Sequence, residues 1–506
     1  MALNLLYMKK ISTFLVLSSF SFLCFCNERV IAQEKKSVIK IADLPATTKS
    51  TIAKTSFQQG MAELDLGNVK NARMSFNRAI KQDPEMGIAY LYRANTATSA
   101  KEFADDINAG KLKLASASNW EKLYADYLST NLSGDRTKGI EILQRIASAY
   151  PNSARAQNDL GNGYVGNNQF DKARELYQKA IQLNSKWAGG YSSLANSYMF
   201  NDPKNLKKAE EYSLKVVELA PKSAGAQITL GDCYRAQNEF AKAKTAYAKA
   251  VELNPTSPEA YYKKGHANIY LGNYDEARKN YADAGKYDVV KSGSIINTAY
   301  SYLFQNNTNA ALSSLMDAAM KADTDTGDKG KAANEKYSYL TTAASIAVHN
   351  EDAVTLKKLL PNILPLSEQL TNDLGTPEAK IFVEVDKLNW EALLAFTEGK
   401  YDETIAKAEA MKAAYDPIKD DRKLEGYHYD MGLVSMKQGK YAEAVTHFEK
   451  ADPNNIYHRY WLAKANEAAG NKERATSLYK EVSAYNFNDV GNALVRQEVK
   501  KKIANK

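Results

Sequence analysis

Small, apolar and aromatic residues recur along this chain with a period of about 34 residues. The stretch 224–255 shows the order most clearly, and the stretch 154–185 repeats it. In the first stretch the order ends at a proline, a residue that cannot continue a helix. The recurring residues are Leu230, Gly231, Tyr234, Ala243, Tyr247, Ala250 and Pro255 in the first stretch, and Leu160, Gly161, Tyr164, Ala173, Tyr177 and Ala180 in the second.

This order resembles the tetratricopeptide repeat (TPR), a helix–turn–helix unit that cannot bury its apolar face alone and so stacks on copies of itself. The resemblance implies an all-α fold, a TPR-type α-solenoid in which helix pairs form a right-handed superhelix. Glycine or alanine at the eighth and twentieth positions lets two helix backbones approach, and the aromatic at the twenty-fourth fills the gap between units. Core packing therefore accounts for many of the 32 tyrosines.

About nine units are recognisable, and they fall into two arrays with a hinge or irregular region between them. Residues 323–331 have no apolar period and predict a loop. Residues 361–378 contain three prolines and are expected to be irregular. The predicted divisions are a signal peptide (1–32), a tether (33–50), an N-terminal TPR array (51–322), a hinge and degenerate helical region (323–384) and a C-terminal TPR array with a capping helix (385–506).

The N-terminus has the pattern of an export signal. Lys9 and Lys10 precede an uncharged apolar run that is short for a membrane span. Val30 and Ala32 then fit the small-residue positions before cleavage at Gln33. We therefore expect export to the periplasm, with a composition that resembles Bacteroidetes, and association with the outer membrane is left open.

Two cysteines at the end of the apolar run raise the alternative of a lipoprotein. Cys24 and Cys26 are each preceded by a bulky residue, whereas a lipobox needs a small one there. Lipidation is thus the weaker reading of the leader. Without the leader the chain keeps only Cys233, which is expected to be a buried, inert thiol.

Composition describes a folded chain with little charge bias. Hydrophobic residues make up 44% and charged residues 25%, and the net charge is +8. The only basic run is Lys500–Lys502 near the C-terminus, which a solvated helix end explains better than a nucleic-acid site. We therefore expect protein or peptide partners, no nucleic acid, and an oligomeric state that the sequence leaves unknown.

No motif in the sequence predicts catalysis. The five histidines have no metal-ligand spacing, and neither a G-x-S-x-G motif nor a phosphate-binding glycine loop is present. Acidic pairs such as Asp105–Asp106 predict solubilising charge at helix ends. The chain is accordingly predicted to be no enzyme, with no cofactor and no metal.

The resemblance also implies where a partner would bind. In a TPR stack the first helix of each unit lines the concave side, and its second, fifth, ninth and twelfth positions point inward. A surface of Asn, Arg and Tyr can bond an extended peptide. Gly225 stands where a carboxylate clamp would need lysine, so that known mode is not supported. The predicted partner-binding residues are Arg155, Asn158, Asn162, Asn196, Met199, Asp232, Arg235, Tyr262, His266, Tyr429, Tyr457 and Tyr460.

Three functions fit this sequence. The first is a non-enzymatic scaffold or adaptor in the cell envelope that binds partner proteins on its concave surface. The second is an accessory subunit of outer-membrane secretion or assembly machinery. The third is an envelope hydrolase or glycan-binding protein whose site lies in the poorly repetitive region 324–384. The repeat pattern favours the first.

Overall fold

The computed structural model describes residues 44–504, except Val289 and residues 326–328. The predicted signal peptide and its two cysteines lie outside this range. Helices and turns form the whole described part of the chain, which has no strand. The helices are α1 (Thr51–Asp65), α2 (Val69–Gln82), α3 (Gly87–Ala94), α4 (Ala100–Lys111), α5 (Asn119–Ser133), α6 (Arg136–Ala149), α7 (Ala154–Gly166), α8 (Phe170–Leu183), α9 (Ala188–Phe200), α10 (Leu206–Leu219), α11 (Ala224–Ala236), α12 (Phe240–Leu253), α13 (Pro258–Tyr270), α14 (Tyr274–Tyr287), α15 (Ser292–Leu303), α16 (Thr308–Asp325), α17 (Lys329–His349), α18 (Ala353–Asn372), α19 (Ala379–Thr397), α20 (Tyr401–Ala414), α21 (Glu425–Lys437), α22 (Tyr441–Lys450), α23 (Ile456–Ala468), α24 (Lys472–Ala484) and α25 (Val490–Ala504).

These helices form pairs that stack in chain order. Each helix packs against the next, and from α7 onward each odd-numbered helix also contacts the next odd-numbered one. The odd-numbered helices are therefore the first helices of the units and line one side of the stack. This all-α solenoid confirms the predicted fold class. The final helix, α25, packs against the last pair.

Close contact between a glycine and an aromatic ring joins the two helices of a unit. A Cβ built on Gly231 would lie 2.4 Å from the ring of Tyr247, and one on Gly265 would lie 2.4 Å from the ring of Tyr281. Real Cβ atoms do not approach a carbon this closely, so only glycine fits beside these rings. The predicted role of the eighth position is thereby confirmed at both sites.

An arginine ties each of three units to the following one. Arg174 on α8 donates from Nη2 to the carbonyl oxygens of Ser197 (3.1 Å) and Asn201 (2.7 Å), at the end of α9. The last carbonyls of a helix have no partner within it, so the guanidinium satisfies them. Arg73 and Arg278 occupy the same position in their units. Arg73 donates to the carbonyl oxygen of Thr96, and Arg278 donates to the hydroxyl oxygen of Ser301.

The region between the two predicted arrays is more helical than expected. Helix α18 continues to Asn372 through Pro361 and Pro365, so the expectation of irregular chain was wrong for residues 361–372. Both prolines are exposed, while the opposite face of α18 buries five leucine and isoleucine side chains. Burial of that face outweighs the lost backbone hydrogen bonds. The predicted loop at 323–331 is likewise shorter, since α16 reaches Asp325 and α17 begins at Lys329.

Buried side chains of this region join the hydrophobic core of the stretches before and after it. One cluster of buried side chains extends from Tyr262 on α13 to Val499 on α25 and includes nine residues of α17. Residues 44–50, expected as part of a tether, also pack against the helices. Leu44 is buried there, and the carbonyl of Pro45 accepts a hydrogen bond from Trp120 Nε1 at 2.7 Å.

Candidate protein-binding surface

The predicted partner-binding residues lie on first helices, as the repeat resemblance implies, but the folded chain encloses most of them. Asn162, Asn196 and His266 keep partial exposure. Their role in binding stays a prediction. The nine buried residues are Arg155, Asn158, Met199, Asp232, Arg235, Tyr262, Tyr429, Tyr457 and Tyr460.

The end of α1 lies against the predicted surface of α7, α9 and α11. Asp65 Oδ2 accepts hydrogen bonds from Arg155 Nη2 at 2.6 Å and from Trp187 Nε1 at 2.9 Å. The Arg155 guanidinium also lies over the Trp187 ring, 5.1 Å from its centroid. Arg155 is thus occupied by the first repeat of its own chain.

Further along the stack, charged side chains form a network on α11 and α13. Asp232 accepts hydrogen bonds from Tyr247 OH at 2.6 Å and from Lys263 Nζ at 2.9 Å, and pairs with Arg235 at 3.2 Å. Burial alone would raise the pKa of Asp232, but the two cations outweigh burial and hold that pKa below its usual range. Asp232 is therefore a carboxylate that fixes two cations, Arg235 on α11 and Lys263 on α13.

The network continues to α15 through a histidine. Arg235 Nη1 donates to His266 Nδ1 at 3.2 Å, and His266 Nε2 donates to Asn297 Oδ1 at 3.0 Å. Only the neutral imidazole with its proton on Nε2 satisfies both bonds. Burial, together with the nearby Arg235 and Lys263, lowers the pKa of His266 well below its usual range.

The linker between α24 and α25, residues 485–489, lies on this network. Asn486 bonds the end of α11, Phe487 lies under Arg235, and Asn488 bonds Asn297. The repeat pattern predicted neither these linker residues nor Asp65. For the linker, the one signal in the sequence was an aromatic residue between two asparagines, and a short linker has no periodicity that would mark it.

On α23, the predicted residues Tyr457 and Tyr460 face α17 and α25. Tyr457 OH donates to His349 Nδ1 at 2.7 Å, and Tyr460 OH donates to Glu498 Oε2 at 2.6 Å. Tyr429 stacks on His458, with ring centroids 4.4 Å apart. Burial lowers the pKa of His458 to about 4, so this ring is neutral in its stack. Tyr262 on α13 donates its hydroxyl to the buried Asp288.

The described part of the chain has neither a metal-binding cluster nor a membrane-spanning helix. There, no three His, Cys, Asp or Glu side chains come together in a way that could hold a metal ion. Nor does any helix among these residues have the length and apolar character to cross a membrane. Cys233 is buried, and burial raises the pKa of its thiol to about 11, in line with the expected inert thiol.

Comparison with known proteins identifies the repeats. Tetratricopeptide repeat models match residues 57–116, 154–187, 258–287 and 435–497, and a TPR repeat model matches residues 231–270. These ranges cover parts of both predicted arrays.

Curated relatives are similar over shorter stretches. The general transcriptional corepressor trfA of Dictyostelium discoideum is 29% identical over 120 residues, which is 23% of this chain and 8% of that protein. Anaphase-promoting complex subunit 3 of Schizosaccharomyces pombe is 21% identical over 147 residues, 29% of this chain and 22% of that protein. The human protein O-mannosyl-transferase TMTC3 is 26% identical over 28% of this chain and 17% of its own length. The chain spans less than a quarter of each of these proteins.

The chain is also similar to several solved structures. YrrB, described as a TPR protein with an unusual peptide-binding site, is 22% identical with a TM-score of 0.27, and covers 39% of this chain and 98% of its own. A tetratricopeptide repeat protein from Parabacteroides merdae is 11% identical with a TM-score of 0.34, and the match covers 57% of this chain and 100% of that protein. The APC/C hetero-tetramer Cut9–Hcn1 is 14% identical with a TM-score of 0.39, covering 88% and 76%. Together with the helix pairs and the glycine–aromatic contacts, the repeat models establish that this chain contains tetratricopeptide repeats.

Proposed function

We propose that this protein is a non-enzymatic scaffold that binds partner proteins or peptides on the surface of its first helices. The observation that carries this proposal is the polar network Asp232–Arg235–His266–Asn297, which crosses three consecutive first helices. The linker 485–489 lies on this row, with Phe487 against Arg235 and Asn488 bonded to Asn297, so the row can hold a non-helical segment across consecutive repeats. Asn162 and Asn196 extend the same surface toward α7 and keep partial exposure.

We place this scaffold in the cell envelope of a Gram-negative, Bacteroidetes-like bacterium, in the periplasm. The support is the sequence of residues 1–32, with its lysines, apolar run and small-residue exit. Mass spectrometry of the mature N-terminus tests this part. A protein that begins at Gln33 supports simple export, a lipid on Cys24 or Cys26 supports attachment to a membrane, and an uncleaved leader contradicts both.

A photo-crosslinking amino acid placed at Asn196 tests binding in intact cells. The matched control carries the same amino acid at Lys179, an exposed residue on the second helix α8. A scaffold of the proposed kind gives a defined crosslinked partner from position 196 and none from position 179. Equal labelling from both positions, or none from either while the protein is abundant, contradicts binding at this surface.

A further inference from the structure

Residues 485–489 cross the first helices of four consecutive repeats. They link α24 to α25, yet their contacts are with α9, α11, α13 and α15, far away in the sequence. The linker thus lies where the repeat resemblance would place a bound peptide. The groove under it is defined here as Phe200, Arg235, Asn238, Tyr270, Tyr281 and Asn297.

Asn486 recognises the end of a helix. Its side-chain amide donates to the carbonyl oxygen of Arg235 at 2.5 Å and to Asn238 Oδ1 at 3.1 Å. Asn238 has a left-handed backbone (φ 63°) that ends α11 and leaves these acceptors facing the linker. Asn486 is only 1% exposed, so its amide is fully enclosed by acceptors that a primary amide fits.

Phe487 lies between a cation and a second ring. The Arg235 guanidinium is 4.1 Å from the centre of the Phe487 ring, and Phe200 meets that ring edge-on at 4.8 Å. Both geometries are attractive for an aromatic side chain and have no counterpart for an aliphatic one. The Phe487 carbonyl oxygen also accepts a hydrogen bond from Tyr270 OH at 2.9 Å, so the groove holds the backbone here as well.

Asn488 contacts the next two repeats along the stack. Its Nδ2 donates to Asn297 Oδ1 at 2.8 Å and to Tyr281 OH at 3.3 Å. Asn297 is the residue that His266 also bonds, so the linker joins the polar network directly. Three consecutive side chains thus make three separate and chemically distinct contacts with the groove.

We propose that this groove recognises an extended segment of the type Asn–aromatic–Asn, and that residues 486–488 are its internal ligand, which a partner protein with such a segment displaces. This inference rests on the proposed scaffold function and names the chemistry of the partner. A tethered ligand has an effective concentration of order millimolar, so it masks the groove against weak or non-specific peptides. A partner competes by repeating the same contacts and adding others outside the groove.

The test uses the full chain and a fluorescent peptide with the sequence of residues 483–490. The wild type is compared with the Asn486→Ala/Phe487→Ala variant, in which the internal ligand is weakened. We expect the peptide to bind this variant at least tenfold more tightly than the wild type. The same peptide with alanine at the Phe487 position should bind the variant at least tenfold more weakly than the unchanged peptide does. Equal binding to both proteins, or equal binding of both peptides, would overturn the proposal.

Hydrogen exchange of the wild type covers the case in which the variant does not fold. Millimolar peptide should accelerate amide exchange within residues 485–489, whereas a scrambled peptide should leave it unchanged. No acceleration contradicts displacement. Light scattering tests whether two copies of the chain swap this segment. A dimer formed by such swapping would make a second copy the occupant of the groove and would overturn the assignment to a partner protein. If the peptide fails while a crosslinker at Asn196 still captures a partner, the scaffold function stands and the internal ligand does not.

Discussion

The first turn of α11 presses against the end of α1, where Gly225 faces the carbonyl oxygen of Leu66. A Cβ built on Gly225 would lie 1.7 Å from that oxygen and 2.8 Å from the carbonyl carbon. Leu66 is the C-terminal cap of the first helix, so the obstacle is backbone and cannot rotate away. The first repeat and the repeat that begins at Ala224 therefore meet only because residue 225 has no side chain.

Gly225→Ala should separate these two repeats. The added methyl group forces the backbone at Leu66 or at Gly225 to move, and overpacking of this kind costs about 1–3 kcal/mol. We expect a lower urea midpoint of unfolding, and faster hydrogen exchange at the end of α1 than in α12. An unchanged midpoint with unchanged exchange would contradict the closeness of the contact.

Gly166→Ala is the matched control. Gly166 also lies in a first helix, but a Cβ there would meet nothing within 4 Å. Alanine favours helix over glycine by up to about 1 kcal/mol, so this variant should be as stable as the wild type or slightly more stable. A loss like that of Gly225→Ala would mean that the effect belongs to glycine in general.

Gly225 shows how far sequence reasoning reaches in a repeat protein. The period of the repeats predicts which residues meet within a unit, and Gly231 and Tyr247 meet as expected. It carries no information on contacts between distant units, so Gly225 could be read only as a missing clamp lysine. The burial of Arg155 by Asp65 was equally beyond reach, because it depends on how the whole stack curves.

The pair Asp65–Arg155 predicts a large loss when one partner is removed. Their side chains are 11% and 7% exposed, so Asp65→Ala leaves the buried Arg155 cation without its carboxylate. Breaking a buried pair in this way costs about 3–5 kcal/mol. We expect a matching drop in the free energy of unfolding, measured by urea denaturation.

Removal of both charges separates the pair from its surroundings. In Asp65→Ala/Arg155→Met the unpaired cation is gone, and methionine fills part of the space of the arginine stem. The double variant should therefore be more stable than Asp65→Ala alone. If its loss of stability equals the sum of the losses of the single variants Asp65→Ala and Arg155→Met, the two charges do not interact as the structure has them.

Arg174 is expected to hold two repeats together. Its guanidinium bonds the carbonyls at the end of α9 and lies over the Tyr198 ring at 4.7 Å. Arg174→Ala should cost about 2–3 kcal/mol, because the carbonyls of Ser197 and Asn201 lose a charged donor. Arg278→Ala is the comparison, since Arg278 occupies the same position but its side chain is 20% exposed, against 7% for Arg174. Thermal unfolding should show the smaller loss for Arg278→Ala, and the reverse order would contradict this account.

The region 353–372 marks the limit of local sequence rules. Two prolines four residues apart predict a break, and a helix with few partners would break there. Helix α18 survives because Leu356, Leu359 and Ile363 on its other face are buried by neighbouring helices.

Packing between distant helices also explains why Tyr429, Tyr457 and Tyr460, which were predicted on an open surface, lie buried. Helices α17 and α25 cover that face, and α17 carries few of the residues that identify a repeat.

A buried carboxyl on α21 predicts a pH dependence of stability. Asp430 on α21 is 2% exposed, and neither of its oxygens has a hydrogen-bond partner in the described part of the chain. Burial raises the pKa of Asp430 to about 7. In the unfolded chain the same carboxyl ionises near pH 4. Between these values the folded state holds a proton that the unfolded state has released.

The sign of the effect follows from linkage. Stability falls with rising pH wherever the folded state binds more protons, so Asp430 destabilises the fold progressively from about pH 4 to pH 7 and by a constant amount above that. Asp430→Asn cannot ionise and escapes this loss. Relative to the wild type, the free energy of unfolding of the variant should rise by at most about 1.4 kcal/mol per pH unit within that window, and it should rise no further above it. Urea unfolding at pH 5, 6, 7 and 8 measures the difference, with the exposed Asp402→Asn as control. A difference between Asp430→Asn and the wild type that stays constant from pH 5 to 7 would show that Asp430 is ionised within the folded protein.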